Sequence, residues 1–270
     1  MLKRAVLLIL TIVCLMIGYT ACADEEILLS EVTEDGEYLL KYDRRLRMNV
    51  TDGYKVLQGS ATDGTYGYYF VLDQTGETEL CTIHQIDLST YAVQRSVRDL
   101  PLEHANGATW NPRTNQLIVT NCKPTRNRLT MVDCETLGIV GTHDLPIDVL
   151  SVAYCAERDQ YVVGHYDNLG FSVLDGSFNV IASYHYPEGV KHNQDAACDT
   201  DYIYLLQWKT EYITNLNYVH VYTWDGDFVK TIDVKSTREI ESMFMVDGKI
   251  YLGFYSTQPD IGEGRLLRLP

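Results

Sequence analysis

The sequence lacks the short motifs that accompany common catalytic chemistry. It has no CxxC pair, no phosphate-binding glycine loop, no dinucleotide fingerprint, no nucleophile elbow and no HExxH segment. Without CxxC ligands a zinc site has little support, and we predict neither a metal nor a cofactor. Positive charge is also scarce, because 22 Lys and Arg face 37 Asp and Glu, for a net charge of −15. This balance disfavours nucleic acid, which we do not expect as a partner, since nucleic-acid-binding surfaces need basic patches.

The cysteine content does not describe a disulfide framework. Of the seven cysteines, Cys14 and Cys22 lie in the N-terminal segment, which leaves five for the mature chain. An odd number cannot pair completely within one molecule. If one pair bridges, the repeat pattern described below favours Cys122 with Cys155.

The N-terminal 23 residues have the build of an export signal. Lys3 and Arg4 precede an apolar stretch, residues 5–18, that is too short for a stable membrane span. Two interpretations of its end remain open: a lipobox in which Cys22 becomes the lipidated first residue, and cleavage after Ala23. We expect export, to the outer face of the cytoplasmic membrane or as a secreted protein. A lipid anchor would be the only membrane contact, and the acidic residues 24–36 would form a tether.

The remaining chain, residues 37–270, is built from a repeated hairpin. Residues 104–121 predict two short strands, 107–110 and 116–120, joined by an Asn- and Pro-containing turn. Four other segments repeat this pattern, with 43 to 48 residues between the equivalent polar positions Gln58, Asn106, Ser151, Gln194 and Glu241. A second hairpin with an Asp-led turn lies between consecutive copies. Four strands per repeat and a period in the forties predict propeller blades.

Five copies therefore predict an all-β, five-bladed β-propeller in a single domain. The last repeat ends without a fourth strand, while residues 37–50 resemble a spare hairpin ahead of the first repeat. We predict that N-terminal strand material completes the last blade and closes the ring. Whether residues 37–42 or 265–269 supply the third strand of that blade is left open.

The connections between blades should meet at one mouth of the central channel and form a polar ligand site there. The residues at the starts of the inner strands are the candidates: Gln58, His104, Asn106, Ser151, His192, Gln194, Asp195 and Glu241. The alternative is that these side chains only satisfy backbone groups.

Two motifs suggest a family. Gln58-Gly59 and the segment from His104 to Pro112, HANGATWNP, resemble repeats of secreted propeller proteins of Gram-positive bacteria and their phages. A weaker similarity, carried by residues 57–59 and 246–251, is to bacterial glutamine cyclotransferases, although the GEG and NELE segments of that family are absent. The resemblance implies an exported, cell-envelope propeller.

Two functions from different classes follow. The first is a non-enzymatic module that binds a polar small molecule, a glycan, a peptide or an envelope protein at the channel mouth. The second is an enzyme of glutamine cyclotransferase or lactonase/hydrolase type that uses carboxylates at that mouth, Glu241 among them.

Overall fold

The chain folds into antiparallel β-sheets. The computed structural model describes residues 25–27, 36–47, 54–73, 79–187, 194–211, 214–234, 236, 238–254 and 260–268. All regular elements in these ranges are strands, which confirms the all-β prediction. The described residues contain no helix long and apolar enough to cross a membrane. The strands are β1 (Glu25–Ile27), β2 (Tyr38–Arg47), β3 (Tyr54–Thr62), β4 (Tyr66–Asp73), β5 (Leu80–Asp87), β6 (Val93–Leu100), β7 (Gly107–Asn111), β8 (Gln116–Thr120), β9 (Arg128–Asp133), β10 (Ile139–Asp144), β11 (Val149–Cys155), β12 (Gln160–His165), β13 (Gly170–Asp175), β14 (Val180–His185), β15 (Asp195–Cys198), β16 (Tyr202–Glu211), β17 (Thr214–Thr223), β18 (Phe228–Val234), β19 (Ile240–Val246), β20 (Lys249–Phe254) and β21 (Asp260–Arg268).

The strands form three four-stranded sheets and one nine-stranded sheet. The first three four-strand units are β3–β6, β7–β10 and β11–β14, each in sequence order. The nine-stranded sheet contains a fourth unit, β15–β18, and a fifth, β19-β20-β21-β2. A short parallel pairing of Asp233 and Val234 with Leu39 and Leu40 joins these two units.

The N-terminal strand lies inside the fifth unit. β2 pairs along β21 from Tyr38↔Arg268 to Arg47↔Asp260, so β21 is the third strand and β2 the outermost. This resolves the strand choice that the sequence leaves open. Residues 25–27, predicted as tether, form β1, which pairs with residues 266–268 of β21, beyond the part of β21 that pairs with β20.

Short polar turns set the hairpins. Asp87, Asp133 and Asp175 each end the third strand of a unit and accept hydrogen bonds from backbone N–H groups two to four residues further on, at 2.8–2.9 Å. This geometry stabilises a tight turn locally, because the carboxylate replaces a backbone partner. It explains why the spacing of Asp residues marks the outer hairpins so well.

The core is divided among the interfaces between consecutive units. Five buried clusters lie between the first and second, second and third, third and fourth, and fourth and fifth units, and between the fifth and the first. In the last of these, Leu57 and Tyr69 of the first unit pack with Phe244 and Tyr251 of the fifth. The first and fifth units are therefore in direct contact.

Two buried histidines predict a loss of stability in acid. His84 Nδ1 lies 2.7 Å from Ser96 Oγ and His220 Nδ1 lies 2.8 Å from Thr231 Oγ1. Burial lowers the pKa of each to about 4, with Arg98 adding to the effect at His84. In the unfolded chain these histidines bind a proton near pH 6.5. As the pH falls from 6.5 to 4, each histidine should therefore lower the free energy of unfolding by up to about 3 kcal/mol.

Thermal melts between pH 7 and 4 check this expectation. The double variant His84→Gln/His220→Gln should lose less stability across that interval than the wild type, while His143→Gln, at an exposed position, should match the wild type. Equal slopes for the double variant and the wild type would contradict it.

Candidate functional site

The five inner strands surround one axis. β3, β7, β11, β15 and β19 each contact the next, and β19 contacts β3. Each is the edge strand of its unit, so one backbone edge of each faces the axis. Among the described residues that were predicted to form the mouth, His104, Asn106 and Gln194 precede an inner strand, and Asp195 and Glu241 lie at the first two positions of theirs. Ser151 and Gln58 lie further along β11 and β3. Bulges at Gln58-Gly59, Leu150 and Glu241 interrupt the pairing there and re-aim the neighbouring side chains.

Hydrogen bonds close this end of the axis. Asn106 Nδ2 of the second unit donates to the Gln194 carbonyl oxygen beside the fourth unit, at 2.9 Å. Because these units are not neighbours in the ring, the bond crosses the centre. Gln194 Nε2 in turn donates to Glu239 Oε1 at 2.8 Å. We call Asn106, Gln194, Asp195, Glu239 and Glu241 the axial polar cluster.

The carboxyl groups of the axial polar cluster are held in an environment that disfavours charge. Asp195 is fully buried, and burial raises its pKa well above the usual range, although N–H donors partly oppose this. Burial also raises the pKa of Glu241, with further increases from Glu239 and Asp195 and a decrease from Lys123. Glu241 has no hydrogen-bond donor among the described residues. Each of these shifts favours the protonated form of the carboxyl group relative to an exposed one.

Four of the eight predicted residues belong to this cluster: Asn106, Gln194, Asp195 and Glu241. His104 instead pairs with Glu79, Nδ1 to Oε2 at 2.9 Å, and its pKa is lowered by burial and by Lys123 against the opposing effect of Glu79. Gln58 is buried at its bulge, and Ser151 Oγ is buried without a partner in the described part of the chain. His192 and Cys22 lie outside the described residues.

Lys123 and Glu79 also act on these residues, although neither was predicted from the sequence. The predicted residues come from the connections that lead into inner strands, whereas Lys123 follows β8, the second strand of its unit. In an antiparallel unit the loop after the second strand lies at the same end as the connection into the first. That rule was the available signal.

A cavity lies at the opposite end of the inner strands, where the hairpins turn. Its volume is about 210 Å³, and residues from all five inner strands line it. Four alanines and one methionine, one from each inner strand, are among the residues that line it: Ala61, Ala108, Ala153, Ala196 and Met243. Four of these five side chains are a single methyl group, so the space between the strands stays open. None of the eight predicted residues lines this cavity.

The rim of the cavity is mixed in character. Trp110 is half-buried there, with Nε1 3.4 Å from Asn115 Oδ1, and Glu157 is the one charged residue among those that line the cavity. Cys155 and Cys198 also line it, and burial raises the pKa of both thiols. They are neutral, weakly nucleophilic groups.

The cysteines form no disulfide in the described residues, where all five are free. The favoured pair, Cys122 with Cys155, is wrong because the two residues lie at opposite ends of the axis. Cys122 precedes Lys123 beside the axial polar cluster, whereas Cys155 lines the cavity. Within the same ranges, no three His, Cys, Asp or Glu side chains are grouped to hold a metal ion.

Comparison with known proteins identifies a fold and nothing narrower. No family model and no curated protein matches the chain. Hydrazine synthase matches in structure. The match to this Kuenenia stuttgartiensis protein has a TM-score of 0.50 and 13% identity, and covers 83% of this chain and 68% of that one. At this identity the likeness concerns the fold alone, and 1010 chains of solved structures match, so the fold does not restrict the function.

Proposed function

We propose that the protein is an exported five-bladed β-propeller of the cell envelope that binds a ligand on its central axis without transforming it. The five four-strand units are the blades, and β2 closes the ring as the outer strand of the last one. The closed circuit of inner-strand contacts and the five core clusters between consecutive units support this architecture.

The cavity at the hairpin-turn end carries the functional proposal. It is concave, lies on the axis and is bordered by every inner strand, and the axial polar cluster closes the channel behind it. Its 210 Å³ is below the roughly 300–1,000 Å³ of sites that enclose drug-sized molecules. The ligand is therefore a small molecule, or one side chain or terminal unit of a peptide, glycan or envelope protein.

Ligand-observed NMR on the mature protein tests the proposal. The probes are 1-pentanol, pentylammonium, N-acetylglucosamine and alanyl-alanine. At least one should bind the wild type and fail to bind Ala153→Met, which fills the cavity. The matched control Ala92→Met places the same side chain at an exposed turn and should leave binding intact. Binding of no probe to the wild type, or equal binding to Ala153→Met, would contradict the proposal.

One observation favours a second candidate, an enzyme of cyclotransferase or lactonase/hydrolase type. Glu241 is buried, lacks a donor among the described residues and has a raised pKa, as a general acid requires. Assays of glutaminyl cyclisation and lactone hydrolysis separate the candidates. Turnover that disappears in Glu241→Gln would establish the enzyme and overturn the binding module.

Export predicts a testable fate for Cys22. If the lipobox interpretation holds, palmitate labelling of cells should label the wild type and lose that label in Cys22→Ser. A mature N-terminus at Asp24 by protein sequencing would instead establish cleavage after Ala23, and retention of residues 1–23 would contradict export by either route.

A further inference from the structure

A buried carboxylate lies directly behind the wall of the cavity. Asp195 Oδ2 accepts the Met243 N–H at 2.8 Å, and Asp195 Oδ1 accepts the Ala196 N–H at 2.9 Å. Both donors belong to residues that line the cavity. The Asp195 side chain is fully buried and does not itself line the cavity, so its carboxyl group lies behind Ala196 and Met243, on the side of the axial polar cluster. Glu241 adds a second carboxyl group nearby, because Asp195 is close enough to raise the pKa of Glu241.

The wall of the cavity is apolar, and the one charged residue among those that line it is the acidic Glu157. A ligand that enters from the rim passes Glu157 and Trp110 and then the ring of alanine methyls and Met243. An aliphatic stem gains favourable burial against such a wall. A cationic head is attracted to a carboxylate and to the face of an aromatic ring.

The surface around the rim carries more acidic than basic side chains. The inner-hairpin turns and the residues that flank them carry the carboxylates Asp63, Glu157, Asp159, Asp199, Asp201 and Asp247, against the cations Arg113, Arg158 and Lys249. A cleft surrounded by one sign of charge concentrates ligands of the opposite sign. The surface therefore favours a cation at the cavity mouth.

We propose that the axial cavity binds a linear primary alkylammonium group, head first, with its aliphatic stem between the alanine methyls and its ammonium towards Asp195. The lysine side chain of a basic peptide and a free aliphatic amine share this chemistry. This inference rests on the proposed ligand-binding function and specifies its ligand class.

Proton release should accompany binding. The pKa of Asp195 is raised in the free protein by burial, and the facing groups are Glu241 and Glu239 next to β19 and Lys123 after β8. An ammonium group favours the ionised carboxylate and therefore opposes the effect of burial on this pKa. Affinity should consequently increase as the pH rises.

Isothermal titration calorimetry with pentylammonium and with 1-pentanol, a neutral analogue of the same chain length, tests the inference. Pentylammonium should bind the wild type at least about tenfold more tightly than 1-pentanol. Asp195→Asn should abolish that difference, while Asp225→Asn, at an exposed position in the turn between β17 and β18, should preserve it. Titration of Nα-acetyl-lysine amide and of cadaverine then separates a peptide side chain from a free amine.

A rim variant keeps the test independent of folding. Glu157 is exposed, so Glu157→Gln should fold normally and weaken pentylammonium about two- to fivefold at low salt, with a smaller effect at high salt. Equal affinity for 1-pentanol and pentylammonium, both lost in Ala153→Met, would overturn the cation inference and leave the binding function intact. If neither compound binds, the cation inference is also overturned. If N-acetylglucosamine and alanyl-alanine do not bind either, the proposed binding function fails too.

Discussion

Leu40→Asp should leave the protein unfolded at 25 °C. Leu40 lies on β2, is fully buried and packs in the cluster between the fourth and fifth units. Deleting a buried leucine side chain costs about 2–5 kcal/mol, and a carboxylate without a partner adds its own burial cost. The total approaches or exceeds the roughly 5–15 kcal/mol that keep a domain folded. The effect is large because β2 connects the two ends of the ring.

Graded substitutions identify the cause. Leu40→Ala should fold and lose about 2–5 kcal/mol in urea denaturation, and Glu37→Ala, at an exposed position just before β2, should change little. A Leu40→Asp protein that melts like the wild type would mean that β2 is not part of the ring.

Gly107→Val should destabilise the contact between the second and third units by about 3 kcal/mol or more. A Cβ atom at Gly107 would lie 2.6 Å from Ser151 Cα and 2.9 Å from Val152 N. Both are backbone atoms of the neighbouring inner strand, so relief requires the two units to separate. The glycine here serves close approach of two strands at the axis.

Gly138→Ala provides the matched control. Its added Cβ would meet only the Thr136 hydroxyl oxygen, at 3.3 Å, which is the end of a rotatable side chain in a turn. Urea denaturation should show a change within about 1 kcal/mol for this variant. Similar stability of Gly107→Val and the wild type would contradict the close packing of inner strands.

The sequence predicts the strands well because their signals are local. The Asn111 to Asn115 turn and the Asp-led turns at Asp87 and Asp133 satisfy their own backbone groups within a few residues. The residue types in these segments therefore indicate a turn. The participation of the N-terminal strand in the fold is also predicted from a local pattern, because residues 37–50 resemble a hairpin that belongs to none of the five repeats. The choice of β21 as third strand depends on long-range pairing, which residue types do not encode.

The site is only partly predictable, for the same reason. Asn106, Gln194, Asp195 and Glu241 follow from their equivalent repeat positions, but the Asn106 bond across the axis depends on how the units close into a ring. The cavity could not be predicted from polar residues in the sequence, because an alanine in an inner strand is equally expected in an ordinary packed core. Ala61, Ala108, Ala153 and Ala196 acquire meaning only when four units place them around one space.

Methyl NMR of protein labelled at its alanine methyl groups tests the central claim, that the inner strands converge on one ligand cavity. Ala61, Ala108, Ala153 and Ala196, each more than forty residues from the next, should show nuclear Overhauser contacts between neighbouring units. Their signals should also shift together when a bound probe is titrated, while Ala92 stays unchanged. Alanine methyls without mutual contacts, or shifts confined to one of them, would contradict the account.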